Sequence, residues 1–293
     1  MIRLGYACVN LTLGRKTRSL RLSTLRAQGL PYLQCLVDEN MDLLAEILRW
    51  NRAHDILFFR ISSDLIPLGS HAEVDLAQLT FARAQEIAEL SQGMRLSMHP
   101  GQYTLPSARG EVWEQSFRDL CYHAFVLEQL GQTEGDLILH GGGVYGERAA
   151  SAERIRANLL SLPANVRRRL RLENDERCWS VRELLPICEA TGIPLVIDNL
   201  HHQLNGTEPL AELPWPRILA TWRGRRPKLH YSEQDQSKRP GAHSTYLDAA
   251  AFYTYMHQIR LDEYNVMLEC KAKDLALLRL RADLADLEAS PLT

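Results

Sequence analysis

Residues 136–143 read Asp-Leu-Ile-Leu-His-Gly-Gly-Gly. A short apolar run ends in an ionisable residue, and glycines follow at once. A run of this length bounded by a turn signal has the pattern of a strand buried on both faces. Similar runs recur at Ile2–Val9, Ile56–Ser62, Met94–His99, Arg169–Glu173, Pro194–Asp198, Lys228–Tyr231 and Asn265–Cys270. Between them, helical periodicity marks Asp38–Trp50, Leu76–Leu90, Trp113–Leu130, Arg154–Leu160, Val181–Ala190, Tyr246–Ile259 and Leu275–Leu287. Strands alternating with helices build parallel β-α-β units. Eight such units in 293 residues take roughly 37 residues each, the usual size in a closed (β/α)8 barrel. A doubly wound open sheet competes, but its glycine-rich first turn is missing, because Gly5–Gly14 holds no G-x-G-x-x-G. The sequence therefore predicts an α/β chain folded as one (β/α)8 TIM barrel spanning residues 1–293, with a long basic loop over Gly14–Pro31.

The ionisable residues fall at the ends of these strands. His99, His140, Glu173 and Asp198 close the third to sixth, and His201 follows Asp198 by three residues. His230 lies in the seventh, His243 in the loop after it, and Glu269 ends the eighth. In such a barrel the C-terminal strand ends converge on one mouth, where active sites are built. Each residue alone has an ordinary reading, as a hydrogen-bonded core histidine or a carboxylate paired with a barrel arginine. Their joint position is the signal, because gathering several carboxylates and imidazoles without a counter-charge costs several kcal/mol. Divalent cations offset that cost. Imidazoles with carboxylates and no thiolate suit zinc, manganese, iron or cobalt and argue against calcium. One glutamate can bridge two ions about 3.5–4 Å apart. His54, His71, His123 and His257 lie in or beside helical segments and read as ordinary.

Other segments leave two readings open. The glycines of His140–Glu147 suit either a phosphate approach or a plain turn, and Tyr103 either stacks on a base or packs on the rim. Basic clusters occur at Arg15–Arg21, Arg167–Arg171 and Arg223–Lys228. Arg167–Arg169 precede the fifth strand and are expected to be solvated at the far end. Lys228 and Lys238–Arg239 are expected to flank the mouth and to be better placed for a phosphate.

Composition narrows the class. Apolar residues make up 45% and charged residues 24%, which excludes a disordered chain, a collagen and a coiled coil. Six cysteines without a C-x-x-C pair, and no secretory leader, point to reduced thiols and a cytoplasmic protein. No run approaches the roughly 18 apolar residues of a membrane span.

In order along the chain, the stretches RLGYACVN, FFRISSDLIPLGSH, MHPGQY, LHGGG, LEND, D-N-x-H-H, KLHYSEQ and GAHS resemble the UV damage endonuclease family, from about residue 2 to residue 271. The resemblance implies a metal-dependent endodeoxyribonuclease for DNA repair, acting as a monomer on damaged double-stranded DNA. It implies nicking immediately 5′ of cyclobutane pyrimidine dimers, 6-4 photoproducts and some abasic sites, leaving a 3′-hydroxyl and a 5′-phosphate. By motif position it implies metal ligation by His99, His140, Glu173, Asp198, His201, His230, His243 and Glu269. Three divalent ions are implied, manganese favoured over zinc, cobalt or magnesium, with hydrolysis by metal-activated hydroxide. Glu173, Glu269, Lys228 and Tyr6 are implied as catalytic, Lys228 beside the metals and open to carboxylation. Asn10 is implied near the scissile phosphate, and Gln102 and Tyr103 as lesion probes entering the helix.

Two other classes remain open at this point. A sugar isomerase of the xylose-isomerase-like barrel type also gathers Glu, Asp and His around divalent ions, but needs a closed pocket. A damage-binding module without catalysis has little use for eight converging ligands. The formal net charge of -2 does not exclude DNA, because three divalent ions at the mouth, +6 in all, would turn the sum into +4.

Overall fold

The computed structural model describes residues 2–259 and 261–289. The outermost bounds of the expected domain, residue 1 and residues 290–293, lie outside the described residues. Eight strands form the core: β1 Ile2–Ala7, β2 Phe58–Arg60, β3 Arg95–Met98, β4 Asp136–His140, β5 Leu170–Glu173, β6 Leu195–Asp198, β7 Lys228–Tyr231 and β8 Tyr264–Leu268. Each pairs in parallel with the next, and β1 pairs with β8 from Ile2↔Tyr264 to Tyr6↔Leu268, closing the barrel. All eight lie within the expected apolar runs, except that β8 begins one residue earlier.

Alternation along each strand sorts side chains between two compartments. Outward residues such as Tyr6 and Phe59 pack with Leu33, Val37, Met41, Leu44 and Leu48 of the first helical segment, all buried. Removing each of those leucines from water contributes roughly 2 kcal/mol. Inward residues mix apolar side chains such as Ala7, Phe58 and Met267 with charged ones such as Lys228. A Cβ at Gly5 would lie 2.3 Å from the Phe58 carbonyl oxygen, so only glycine lets β1 approach β2 there.

The floor of the barrel is polar. Asp136 bonds Arg95 at 2.7 Å and Arg171 at 2.8 Å, and Lys228 donates to Ser97 Oγ at 2.9 Å. Asp136, Arg171 and Lys228 are buried. Lys228 is the first residue of β7 and is enclosed, so the expectation that it flanks the mouth is corrected. Its neighbours Phe58 and Ser97 come from β2 and β3, within the barrel. Arg169 is also buried rather than solvated, because its guanidinium donates to the carbonyls of Asn165 and Gln132, both at 2.9 Å.

The expected loop Gly14–Pro31 is shorter in the structure. Helix occupies Leu22–Ala53, interrupted at Gly29 with φ 73° and ψ −175°. Pro31 follows the break, in the first turn of the longer piece, where its missing N–H costs no helical bond. The expected helix Leu76–Leu90 divides into a 3-10 turn, Leu76–Gln78, and a helix, Ala84–Leu90.

Candidate metal centre

The strand ends deliver their polar side chains to one place. Among the described residues, three sets of potential ligand atoms lie within 4.8 Å of one another: His99–His140–Glu173, Glu173–Asp198–His201 and Asp198–His230–Glu269. Neighbouring sets share a carboxylate, Glu173 between the first two and Asp198 between the last two. The two oxygens of Glu173 face different sides: Oε2 lies 3.1 Å from His99 Nε2 and 3.8 Å from His140 Nε2, while Oε1 lies 2.8 Å from His230 Nδ1. His243 stands apart from the three sets, its Nδ1 4.0 Å from Glu269 Oε2.

Backbone geometry explains the convergence. Glu173 and His140 sit directly opposite each other across β4 and β5, as do Asp198 and His230 across β6 and β7. Asp198 also starts the helix Asn199–Asn205, its side chain accepting the backbone N–H of His201 at 2.8 Å. That cap brings the His201 ring back over the mouth, where Nδ1 faces the Asn174 carbonyl at 3.0 Å. Asn174 is buried, bonding both the N–H and the carbonyl of Asp198, so it holds β6 against the end of β5.

The electrostatics are those of a cluster short of counter-charge. Burial raises the pKa of Asp198, partly opposed by His201. Burial pushes Glu173 the same way, but the charges of His230 and His140 and hydrogen bonds from His230 and His99 hold it well below the carboxylate range. His201 loses charge preference to burial, yet Asp198, Glu173 and Glu269 raise it to about 9. Within the cluster, three buried atoms have no hydrogen-bond partner: His140 Nδ1, Asp198 Oδ2 and His230 Nε2. An unpaired carboxylate oxygen and an unpaired imidazole nitrogen within one ligand set fit a coordinated cation, since each would otherwise cost about 1–3 kcal/mol.

Arg60 is a site residue that the sequence did not single out. It ends β2, and its guanidinium holds the Glu269 carboxylate. Its signal is the same as for the other sites, a polar residue ending an apolar run, but arginine is no metal ligand. Glu176 is a second such residue, with Oε2 4.0 Å from His201 Nε2.

The remaining expected site residues divide. Gln102 borders a cleft of about 180 Å³ that also reaches His140 and Glu176. Tyr103 is 80% exposed on the same loop, so of its two readings the one packed into the rim is not seen. Lys228 lies in the floor, where burial lowers its pKa to about 7; Arg60 and Arg95 push the same way against Asp136. Tyr6 and Asn10 are brought together, but away from the lumen. The fully buried Tyr6 hydroxyl donates to Asn51 Oδ1 at 2.7 Å and accepts from Asn10 Nδ2 at 2.9 Å. Asn10 is buried too, with Oδ1 accepting the Leu13 N–H. Both side chains are enclosed here, and their hydrogen bonds shape the loop after β1.

The family model described as UV-endonuclease UvdE matches residues 2–290. A UV DNA damage endonuclease of Bacillus cereus (strain G9842) is 34% identical over 261 residues, 85% of this chain and 82% of its own length. The crystal structure of SacUVDE superposes with a TM-score of 0.87 at 34% identity, covering 98% of this chain and 99% of that one. Endonuclease IV from Thermus thermophilus has a similar fold, with a TM-score of 0.59 at 19% identity over 84% of this chain and 95% of its own. No helix among the described residues is long and apolar enough to cross a membrane.

Proposed function

The chain belongs to the UV-endonuclease UvdE family, and from that premise we propose that it nicks duplex DNA immediately 5′ of cyclobutane pyrimidine dimers and 6-4 photoproducts, and at some abasic sites. The products are a 3′-hydroxyl and a 5′-phosphate. Family membership sets aside the sugar-isomerase reading. The observation that carries the proposal is the run of three ligand sets sharing Glu173 and Asp198 at the mouth, with unpaired buried atoms inside them.

The residues that would hold divalent ions are His99, His140, Glu173, Asp198, His201, His230 and Glu269, with His243 beside Glu269 as an eighth. Three ions, manganese favoured, match the three sets. Bound there, divalent cations would activate water for attack on phosphorus and offset charge on the phosphate oxygens. The chain's own residues prepare that chemistry. Arg60 neutralises and aims the Glu269 carboxylate, leaving its second oxygen toward His243. Asn174 fixes Asp198 and His201 in one orientation. Lys228 supplies a partly neutral amine near pH 7, the form that carboxylation by carbon dioxide requires.

Lesion choice follows from the rim. Gln102 and Tyr103 project from the loop after β3 without a packing partner that would be lost on entering the helix. A photoproduct stacks and pairs poorly, so bending and opening the duplex there costs less than at intact steps. The chain is proposed to act as one domain and as a monomer, in the cytoplasm. The decisive experiment treats an end-labelled, UV-irradiated duplex with metal-replete protein, beside an EDTA control. One cut directly 5′ of the lesion, abolished by EDTA, is expected; a cut elsewhere, or one that persists in EDTA, overturns the proposal.

A further inference from the structure

A second cavity, of about 390 Å³, opens at the opposite end of the barrel. It is lined by Gly93, Met94 and Arg95 at the start of β3, Gly135 and Asp136 at the start of β4, and Asn265 of β8. These are N-terminal strand positions, so the cavity and the ligand sets lie at opposite faces. Five guanidinium groups reach it: Arg3, Arg95, Arg171, Arg225 and Arg226. The sequence clusters Arg167–Arg171 and Arg223–Lys228 each contribute to it, through Arg171, Arg225 and Arg226, which the endonuclease reading does not use.

The cations are under-compensated. Two carboxylates line the cavity, Asp136 and Glu134. Asp136 is already committed, one oxygen to Arg95 and the other to Arg171. Glu134 is mostly exposed and stands 3.8 Å from Arg225. Arg226 pairs with Glu263 at the rim, and Arg3 has no carboxylate within salt-bridge distance among the described residues. Arg171 is buried, stacks over Trp222, and has an Nε without a hydrogen-bond partner. Burial lowers its pKa, and Arg225 and Arg95 add to that against Asp136 and Glu134.

We infer that this cavity is a binding site for a phosphate group, held by Arg3, Arg171, Arg225 and Arg226 at the end of the barrel away from the metal centre. Guanidinium forks match the oxygens of a tetrahedral dianion, and burial of one partner strengthens each contact. The cavity is wide enough for inorganic phosphate and for the phosphate of a nucleoside monophosphate. Binding there stabilises the fold without entering the nicking reaction, because the lower end of such barrels serves stability rather than chemistry.

The test is thermal unfolding of metal-loaded protein with inorganic phosphate, with thymidine 5′-monophosphate, and with sodium chloride at matched ionic strength. Phosphate is expected to raise Tm above the chloride control, growing with the logarithm of its concentration. Arg225→Gln/Arg226→Gln, changed at partly exposed positions that a folded protein tolerates, is expected to lose at least half of that rise while nicking at the wild-type rate. A rise with either phosphate compound that the double variant loses supports the site, and the larger of the two identifies the source. No rise over chloride, or an equal rise in the double variant, overturns the inference. So does loss of nicking in a double variant that unfolds at the wild-type temperature.

Discussion

At the scale of single residues, Glu269 is held from two sides. Arg60 fixes one oxygen, while His230 Nδ1 lies 3.1 Å from that same atom. Glu269→Gln removes the charge that both partners and any cation rely on. It is expected to lower metal content and slow nicking of UV-irradiated duplex at least 100-fold, about 2.7 kcal/mol of transition-state stabilisation lost. Normal nicking by protein with reduced metal content would sink the metal assignment. Tyr103 tests the rim separately. Because it is 80% exposed, Tyr103→Ala should leave Tm unchanged and reduce kcat/KM on a photoproduct duplex by roughly 10- to 100-fold, the worth of one base stack. An unchanged kcat/KM would remove Tyr103 from lesion contact. The candidate ligands were legible in the sequence because most of them end, or closely follow, an apolar run at the same face. Tyr6 and Asn10 were not, since their burial depends on Asn51, 45 residues on from Tyr6, and no local pattern encodes that pairing.

At the scale of elements, the loop after β1 is tied to the last helix, Lys273–Ala289. The buried Asp274 accepts the N–H of Leu11 at 2.6 Å, the N–H of Thr12 at 3.0 Å and the Thr12 hydroxyl at 2.6 Å. Three donors on one carboxylate make this loop part of the barrel wall. Asp274→Ala leaves those donors unpaired and is expected to cost about 2 kcal/mol, read as a lower urea midpoint, with faster amide exchange confined to residues 8–21. Protection of that segment equal to wild type would refute the tether. The strands themselves were readable, because a buried parallel strand is a continuous apolar run. The helix over Leu22–Ala53 was only half readable. Its N-terminal piece is short and polar, and the Gly29 break followed by Pro31 mimics a loop signal. The short helix Asn199–Asn205 was hidden because its cap, Asp198, doubles as a candidate ligand.

At the scale of the whole molecule, the interior carries charge from floor to mouth, and the acid limb of stability follows from it. Burial would raise the Asp136 pKa, but Arg95, Arg171 and Lys228 overcome it and hold it at about 2, below its reference of 3.8. A depressed carboxyl stabilises the fold above its unfolded pKa and stops doing so as pH falls through the folded one. Its contribution, about 2 kcal/mol, is therefore complete above pH ~4 and gone near pH ~2. Asp136→Asn should be destabilised at pH 6 by several kcal/mol, and the gap from wild type in urea unfolding should narrow across that acid window. A constant gap would mean the carboxylate is not the titrating group. Closure of the barrel along β1 and β8 has a further consequence, for synthesis. The ligand sets draw on residues from His99 to Glu269, and the seam joins the first strand to the last. A ribosome-bound chain therefore has neither a sealed barrel nor the Glu269 carboxylate until residues 264–269 have emerged. The ligand sets cannot be complete, nor the barrel closed, before β8 has joined β1.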